Sequence, residues 1–468
     1  MNRILNIVVC ILGIAIFICC DKKPLPNPQD NPQETISNPV NTWAHDIMVG
    51  NYYWANDIPA KSSLNFAAEP ELFFYSLLSR SDGKHNSDND YYYSSIEYMG
   101  ESTRANSTET SYGYIPFFIR YNNVSFMHMR IRYVVPGSPA AEAGIKRGDT
   151  FSKFDGQDIT MNNYLQFYNN KMPMTLKQVE LSLTSNGVAQ QDIGDVNLGA
   201  AKEIEVNPFY KRTTLTVNGK KINYLMYSSF VNGKTDSSIE YINQMRQIFD
   251  EFKSNPADAF ILDLRNNGGG LVSCAQQLAT LLAPASALDK TLGYLEYRNG
   301  TKLIINFSQG DKSHNIDLST LYIIVSDLTA SSSEFVINAL KPYMGNNLVI
   351  VGTTTEGKNV ASVEYEGVGD AEGWVIRPIV SKIFNSRNES NYESGFTPAS
   401  NHYVYEYDNE NIISKWYEYG DTEEYLLKNT LNVIKTGSVL NPTRATTTSN
   451  IQVIIPKRES LLILDTIK

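Results

Sequence analysis

Two kinds of hydrophobic pattern divide the chain. Between residues 111 and 205, apolar positions alternate or run continuously over short stretches, 114–121 and 124–135 among them, which predicts strands. From residue 220 onward, short apolar runs trade places with helical spacing. Residues 220–230 and 259–264 read as strands, and residues 237–252 as a helix with Ile239, Ile242, Met245, Ile248, Phe249 and Phe252 three and four apart. A second helix is predicted over 272–282, a buried strand over 321–325, and a helix over 334–340 with Phe335, Val336, Ala339 and Leu340 on one side. Another strand begins at 348, and a last helix spans 424–434. Repetition of strand, loop and helix predicts an α/β layered domain. Upstream, Trp43, Ile47, Tyr52, Tyr53, Trp54, Leu72, Phe73, Tyr75, Leu77 and Leu78 predict a small helical region. Two late apolar runs, 451–455 and 461–464, are expected to pack on the core.

Three loops in the layered half carry candidate chemistry. Between strand 321–325 and the helix after it lie Thr329, Ser331, Ser332 and Ser333. A hydroxyl at such a turn stands beside the unpaired amides of a helix N-terminus, which suit an oxyanion. The same serines also suit a plain N-cap. After strand 259–264 comes Arg265-Asn-Asn-Gly-Gly-Gly270, a glycine loop without the Lys and Ser/Thr of a P-loop or the spacing of a dinucleotide fingerprint. Gly269 or Gly270 can instead turn an amide towards a developing oxyanion. After strand 348 comes Gly357-Lys358. A lysine there is ordinarily a solvated charge, but one held in an apolar pocket can accept a proton from a serine. His128, His314 and His402 have no motif context for a Ser-His-Asp arrangement, and His45 and His85 are expected at the surface.

Composition narrows the classes. The 468 residues allow two or three domains, and 42% hydrophobic with 11% aromatic content fits a folded chain. A net charge of −10 disfavours a general nucleic-acid partner. Cys10, Cys19 and Cys20 precede residue 21 and only Cys274 lies in the body, so no intrachain disulfide framework or cysteine zinc site is available there. No metal or organic cofactor is implied. Residues 4–18 are apolar after Asn2-Arg3 and end at Cys19-Cys20, a pattern that resembles a bacterial lipoprotein signal peptide. That resemblance implies lipidation at Cys20 and a chain anchored to a membrane, periplasmic or at the cell surface. The Pro- and Asn-rich residues 21–40 read as a tether.

Pro136-Gly-Ser-Pro139, the Gly144 and Gly148 turns and Asp155-Gly156 resemble a PDZ domain of the kind found inside bacterial proteases. PDZ domains add a peptide as a strand and capture its C-terminal carboxylate on backbone amides; Gly113, Tyr114 and Ile115 form the candidate carboxylate loop. Following it, Asp263-Leu-Arg-Asn-Asn-Gly-Gly-Gly270, Thr329-Ala-Ser-Ser-Ser-Glu334 and Gly357-Lys358 resemble, in order, the C-terminal processing (tail-specific) peptidases of the S41 serine peptidase family. The resemblance implies Ser331 as nucleophile, Lys358 as general base, and an oxyanion hole from Ser332 and Gly269 or Gly270. Ser333 is the runner-up nucleophile. Many members place a Gln four residues after the Lys to orient it, and Ser362 stands there instead. Glu334 reads as a helix cap.

The expected organisation is a multidomain α/β (α+β) protein. It comprises signal 1–20, tether 21–40, helical region 41–109, β-rich PDZ domain 110–205, a protease core of the ClpP/crotonase-like type over 206–445, and an extension 446–468 packed on that core. The expected function is a lipid-anchored serine endopeptidase using a Ser-Lys pair on protein substrates with unstructured C-termini. The alternative is a catalytically weak peptide- or ligand-binding lipoprotein on the same fold.

Overall fold

The apolar runs of the second half form a five-stranded sheet in the order Phe209–Val217, Lys220–Tyr227, Ala259–Asp263, Leu321–Val325, Leu348–Gly352. Its last four strands are parallel and the first is antiparallel. Leu225, Phe260, Leu262, Leu321, Ile323 and Val325 face helices Glu240–Ser254, Val272–Leu282 and Ser332–Met344, whereas Tyr224, Met226, Ile261, Ile324 and Val351 face helix Tyr425–Thr436. Burial on both faces explains why these strands read as continuous rather than alternating apolar runs. Cys274 is buried among the first set. A four-stranded sheet, in the order Lys302–Asn306, Thr291–Tyr297, Ile379–Asn385, Val360–Ser362, closes the other side of helix Ser332–Met344. This computed structural model describes residues 37–86, 90–99, 108–122, 124–184, 187–235, 238–408, 411–440 and 451–456. Cys20, most of the tether and the run 461–464 lie outside the described residues.

The β-rich region is one sheet in the order Gly187–Leu198, Met174–Thr184, Thr150–Phe154, Met127–Val134, Tyr114–Tyr121, Ile451–Ile454. Two short helices, Pro139–Glu142 and Tyr164–Tyr168, close its core of Phe118, Met129, Ile131, Phe151 and Phe154. Ser138 caps the first, its side chain accepting from Ala141 N at 3.3 Å, with Pro139 in the first helical position.

Three expectations need correction. Residues 41–109 are not simply helical. After helices Pro39–Asn51 and Pro70–Tyr75 the chain turns to short strands, and Ser95–Tyr98 pairs with Trp374–Arg377 of the layered half. Hydrogen-bonded pairing to a distant strand overrides the local pattern. His45 and His85 are not surface residues: His45 packs edge-on against Phe66, and the His85 side chain, 5% exposed, is held by Asp90 and by Asp82 O. Finally, 451–454 joins the β-rich sheet as its last strand beside Tyr114–Tyr121, and meets the protease half only through one face, against Tyr407 and Trp416.

Candidate active site

Ser331 sits where strand Leu321–Val325 has turned into helix Ser332–Met344. It is fully buried with φ 62° and ψ −114°, a backbone region that non-glycine residues rarely occupy. Such strain costs on the order of 1–3 kcal/mol and persists only when the surroundings fix it. Here they do. Glu334, three residues on and also fully buried, accepts from Ser331 N at 2.9 Å. The glycine loop presses from the other side: a Cβ on Gly269 (φ +111°) would lie 2.8 Å from Ser331 Cβ and 3.2 Å from Ser332 N. Only glycine allows that approach.

The three adjacent serines differ in what their hydroxyls do. Ser332 Oγ donates to Gly270 O at 2.7 Å and Ser333 Oγ to Asn267 O at 3.0 Å. Both lock the helix start onto the glycine loop. Among the described residues, Ser331 Oγ alone of the three is buried with no hydrogen bond beyond the capping-box approach of the Glu334 amide. Thr329 Oγ1 is engaged as well, donating to Leu264 O at 2.9 Å. Two oxyanion donors remain beside Ser331. Gly269 N already donates to Asn267 Oδ1 at 2.9 Å, whereas among the described residues the amides of Gly270 and Ser332 meet no such acceptor. Ser332 N also opens a 13-residue helix, whose dipole favours negative charge there.

Lys358 is 1% exposed, with Nζ 5.0 Å from the centre of the Tyr93 ring. Glu334 ties its backbone to the Ser331 turn. Glu334 Oε2, the oxygen bound by Ser331 N, also accepts from Lys358 N at 2.8 Å, while Oε1 takes Thr355 Oγ1 at 2.5 Å and Gly357 N at 2.6 Å. Glu356 N donates to Thr329 O at 3.0 Å, a second tie between the same loops. Burial raises the Glu334 carboxyl to about 7 against four hydrogen bonds that favour its ionised form. Since Ser331 Oγ has no side-chain partner, the Lys358 amine is not hydrogen-bonded to it in this conformation. Ser362 is buried on strand Val360–Ser362, four residues beyond.

Sequence reasoning missed Tyr93. It belongs to the N-terminal region, with its hydroxyl 3.3 Å from Glu356 Oε1, which also accepts from Tyr91; Lys84 Nζ stands 3.5 Å from the same oxygen. Burial and then the Glu356 charge push the Tyr93 phenol well up, so it stays neutral. The Tyr91–Tyr93 run was the only signal. Also missed was a buried charge cluster at the mouth of the glycine loop. Arg265 meets Asp263 and Glu424 at 2.7 Å each and Glu406 at 3.0 Å, and Arg147 of the β-rich region joins the same two glutamates at 2.8 and 3.0 Å. Burial alone would raise Glu424; the Arg265 guanidinium outweighs it and holds Glu424 below the usual range.

Gly113, Tyr114 and Ile115 lie apart from this cluster, at the start of strand Tyr114–Tyr121. Gly113 (φ +78°) is obligatory, since a Cβ there would come 2.1 Å from Ser138 Cβ, and its amide donates to Ser111 Oγ at 2.9 Å.

The profile of Peptidase family S41 matches residues 221–401, that of the Peptidase S41 N-terminal domain residues 39–95, and that of a PDZ domain residues 130–168. The chain thus carries a Peptidase family S41 domain, a Peptidase S41 N-terminal domain and a PDZ domain. A crystal structure from Bacteroides fragilis NCTC 9343, described as an S41 protease, is 28% identical with a TM-score of 0.72, covering 88% of this chain and 99% of that one. The carboxy-terminal processing protease of Bacillus subtilis is 26% identical over 56% of this chain and 51% of its own. The carboxyl-terminal-processing protease of Picosynechococcus is 30% identical over 52% and 53%. The chain thus spans about half the length of the curated relatives it matches.

Proposed function

We propose that the protein is a serine endopeptidase in which Ser331 is the nucleophile and Lys358 the general base. The observation that carries this reading is the contrast among the three serines: two hydroxyls are tied to the glycine loop, and the third, on the strained turn, is not. Ser331 Oγ attacks the scissile carbonyl and passes its proton to Lys358 Nζ. The amides of Ser332 and Gly270 hold the oxyanion. Lys358 returns the proton to the leaving amine, which departs and leaves an ester on Ser331. Lys358 then takes a proton from water, whose oxygen attacks the ester. As the acyl C–O bond breaks, Lys358 returns that proton to Ser331 Oγ, releasing the acid and restoring both groups. Lys358 Nζ would turn from the Tyr93 face towards Ser331, and catalytic hydrogen bonds commonly close only with substrate present.

Substrates would be proteins with unstructured C-terminal tails, added as a strand to Tyr114–Tyr121 with the carboxylate at the Gly113 turn. The body would be held to a membrane by lipid on Cys20. Cleavage of a reporter protein with a flexible apolar C-terminal tail tests this: activity should be lost in both Ser331→Ala and Lys358→Ala with folding intact. A second reading, a catalytically weak peptide-binding lipoprotein, is favoured by the resting place of Nζ against Tyr93. Saturable tail binding without cleavage by any form would select it.

A further inference from the structure

Strand Tyr114–Tyr121 is where a captured peptide would add, and it already carries a neighbour. Ile451–Ile454 pairs with it antiparallel, Ile451 opposite Tyr121, Gln452 opposite Arg120, Val453 opposite Ile119 and Ile454 opposite Phe118. The added strand therefore runs towards the Gly113 turn, the direction of a peptide whose C-terminus is seated there. Its side chains alternate as a bound peptide's would. Ile454 packs into the PDZ core beside Phe118 and helix Tyr164–Tyr168, where Phe118 and Tyr164 meet edge to face at 5.0 Å. On the opposite face Ile451, Val453 and Ile455 pack against Phe117, Ile119 and the Tyr407 and Trp416 rings of the protease half.

We propose that Ile451–Ile454 is a resident occupant of the peptide-docking edge, which an incoming substrate tail must displace. The inference rests on the strand-addition reading above and adds to it what holds the edge before substrate arrives. Main-chain pairing gives such a surface little sequence selectivity, so its partner is any extended segment with apolar residues at alternate positions; this chain supplies one. A segment of the same chain competes as an intramolecular ligand, against which a free peptide must be supplied in excess. If the edge is open about a tenth of the time, a free peptide binds about tenfold more weakly than to an open edge.

The test uses the full chain carrying Ser331→Ala, with and without Val453→Asp and Ile454→Asp, which place charge where the strand packs. The probe is a fluorescein-labelled peptide of residues 449–456 with a free carboxylate, followed by anisotropy. The proposal expects about tenfold tighter binding to the Asp-substituted chain. It also expects faster amide exchange across 114–121 in that chain, reversed by the peptide. Amide exchange at Leu321–Val325 reports whether the substituted chain is folded, and deletion of residues 441–468 supplies a second open form. Equal binding to both chains overturns the proposal, because the strand then does not compete for the captured tail, and leaves tail capture itself standing. A probe that binds neither folded chain overturns both.

Discussion

The backbone amides of Ser331 and Lys358 donate to one carboxylate oxygen, Glu334 Oε2, at 2.9 and 2.8 Å. The Ser331 turn and the Lys358 loop are thus set relative to each other by a single buried side chain. Glu334→Ala leaves four buried donors without their acceptor and is expected to destabilise the fold by roughly 2–4 kcal/mol. It should lower kcat by about 100-fold or more, because a misplacement of about 1 Å is enough for that. Steady-state kinetics should show the loss in kcat, with KM within about threefold of wild type for a positioning role.

Glu334 also predicts a pH dependence. Its carboxyl lies at about 7 in the folded chain against an ordinary value of 4.5, so between those values the folded state holds a proton that the unfolded state has released. Stability from this group is fully present below pH 4.5 and declines as pH rises through 7. Urea melts at pH 5 and pH 8 should show wild type losing on the order of 2–3 kcal/mol relative to Glu334→Gln, which has no such titration. A constant difference between the two chains would remove the effect.

Tyr93 brings the N-terminal region into the site. Tyr93→Phe keeps the ring against Lys358 and gives up only the 3.3 Å bond to Glu356, so activity should stay within about threefold. Tyr93→Ala opens the lysine pocket to water and should cost about 10- to 100-fold in kcat. Equal activity in both variants would place the ring outside the machinery.

Gly269→Ala tests the approach of the glycine loop. The added methyl would meet Ser331 Cβ at 2.8 Å at a backbone angle that disfavours side chains, so the turn must shift. A kcat loss of about 100-fold is expected, with a stability cost of roughly 1–3 kcal/mol from the strained conformation.

The cluster around Arg265 should behave unlike surface pairs. Arg265→Ala strands buried Asp263 and Glu424 and should cost roughly 3–5 kcal/mol. Arg212→Ala, from a solvated pair with Glu251, should cost about 0–1 kcal/mol. Thermal unfolding of the two variants compares them directly.

Much of the layered half is legible in the sequence because burial on both faces leaves unbroken apolar runs. Helix 272–282 and strand 321–325 fall where their periodicity places them. Ser331 and Lys358 are legible because each follows such a strand in a short motif. What escapes is whatever depends on loops meeting in space. Glu334 reads as a cap because its first partner is three residues away, but its bonds to Thr355, Gly357 and Lys358 exist only once two strands lie side by side. Tyr93 comes from a stretch with no chemical pattern, and burial of His45 and His85 is decided by aromatic neighbours rather than local spacing. Strand Ile451–Ile454 looks like any apolar run; its place on the PDZ edge is set by an open row of backbone groups that no side-chain pattern displays.

The most direct measurement is to label the protein with a fluorophosphonate, which reacts with activated serine hydroxyls, and locate the adduct by tandem mass spectrometry. The expected result is a single phosphonylated residue at Ser331, absent in Ser331→Ala and formed far more slowly in Lys358→Ala. Adduct on Ser333, or tail cleavage that survives in Ser331→Ala, would contradict the assignment of Ser331 as the nucleophile.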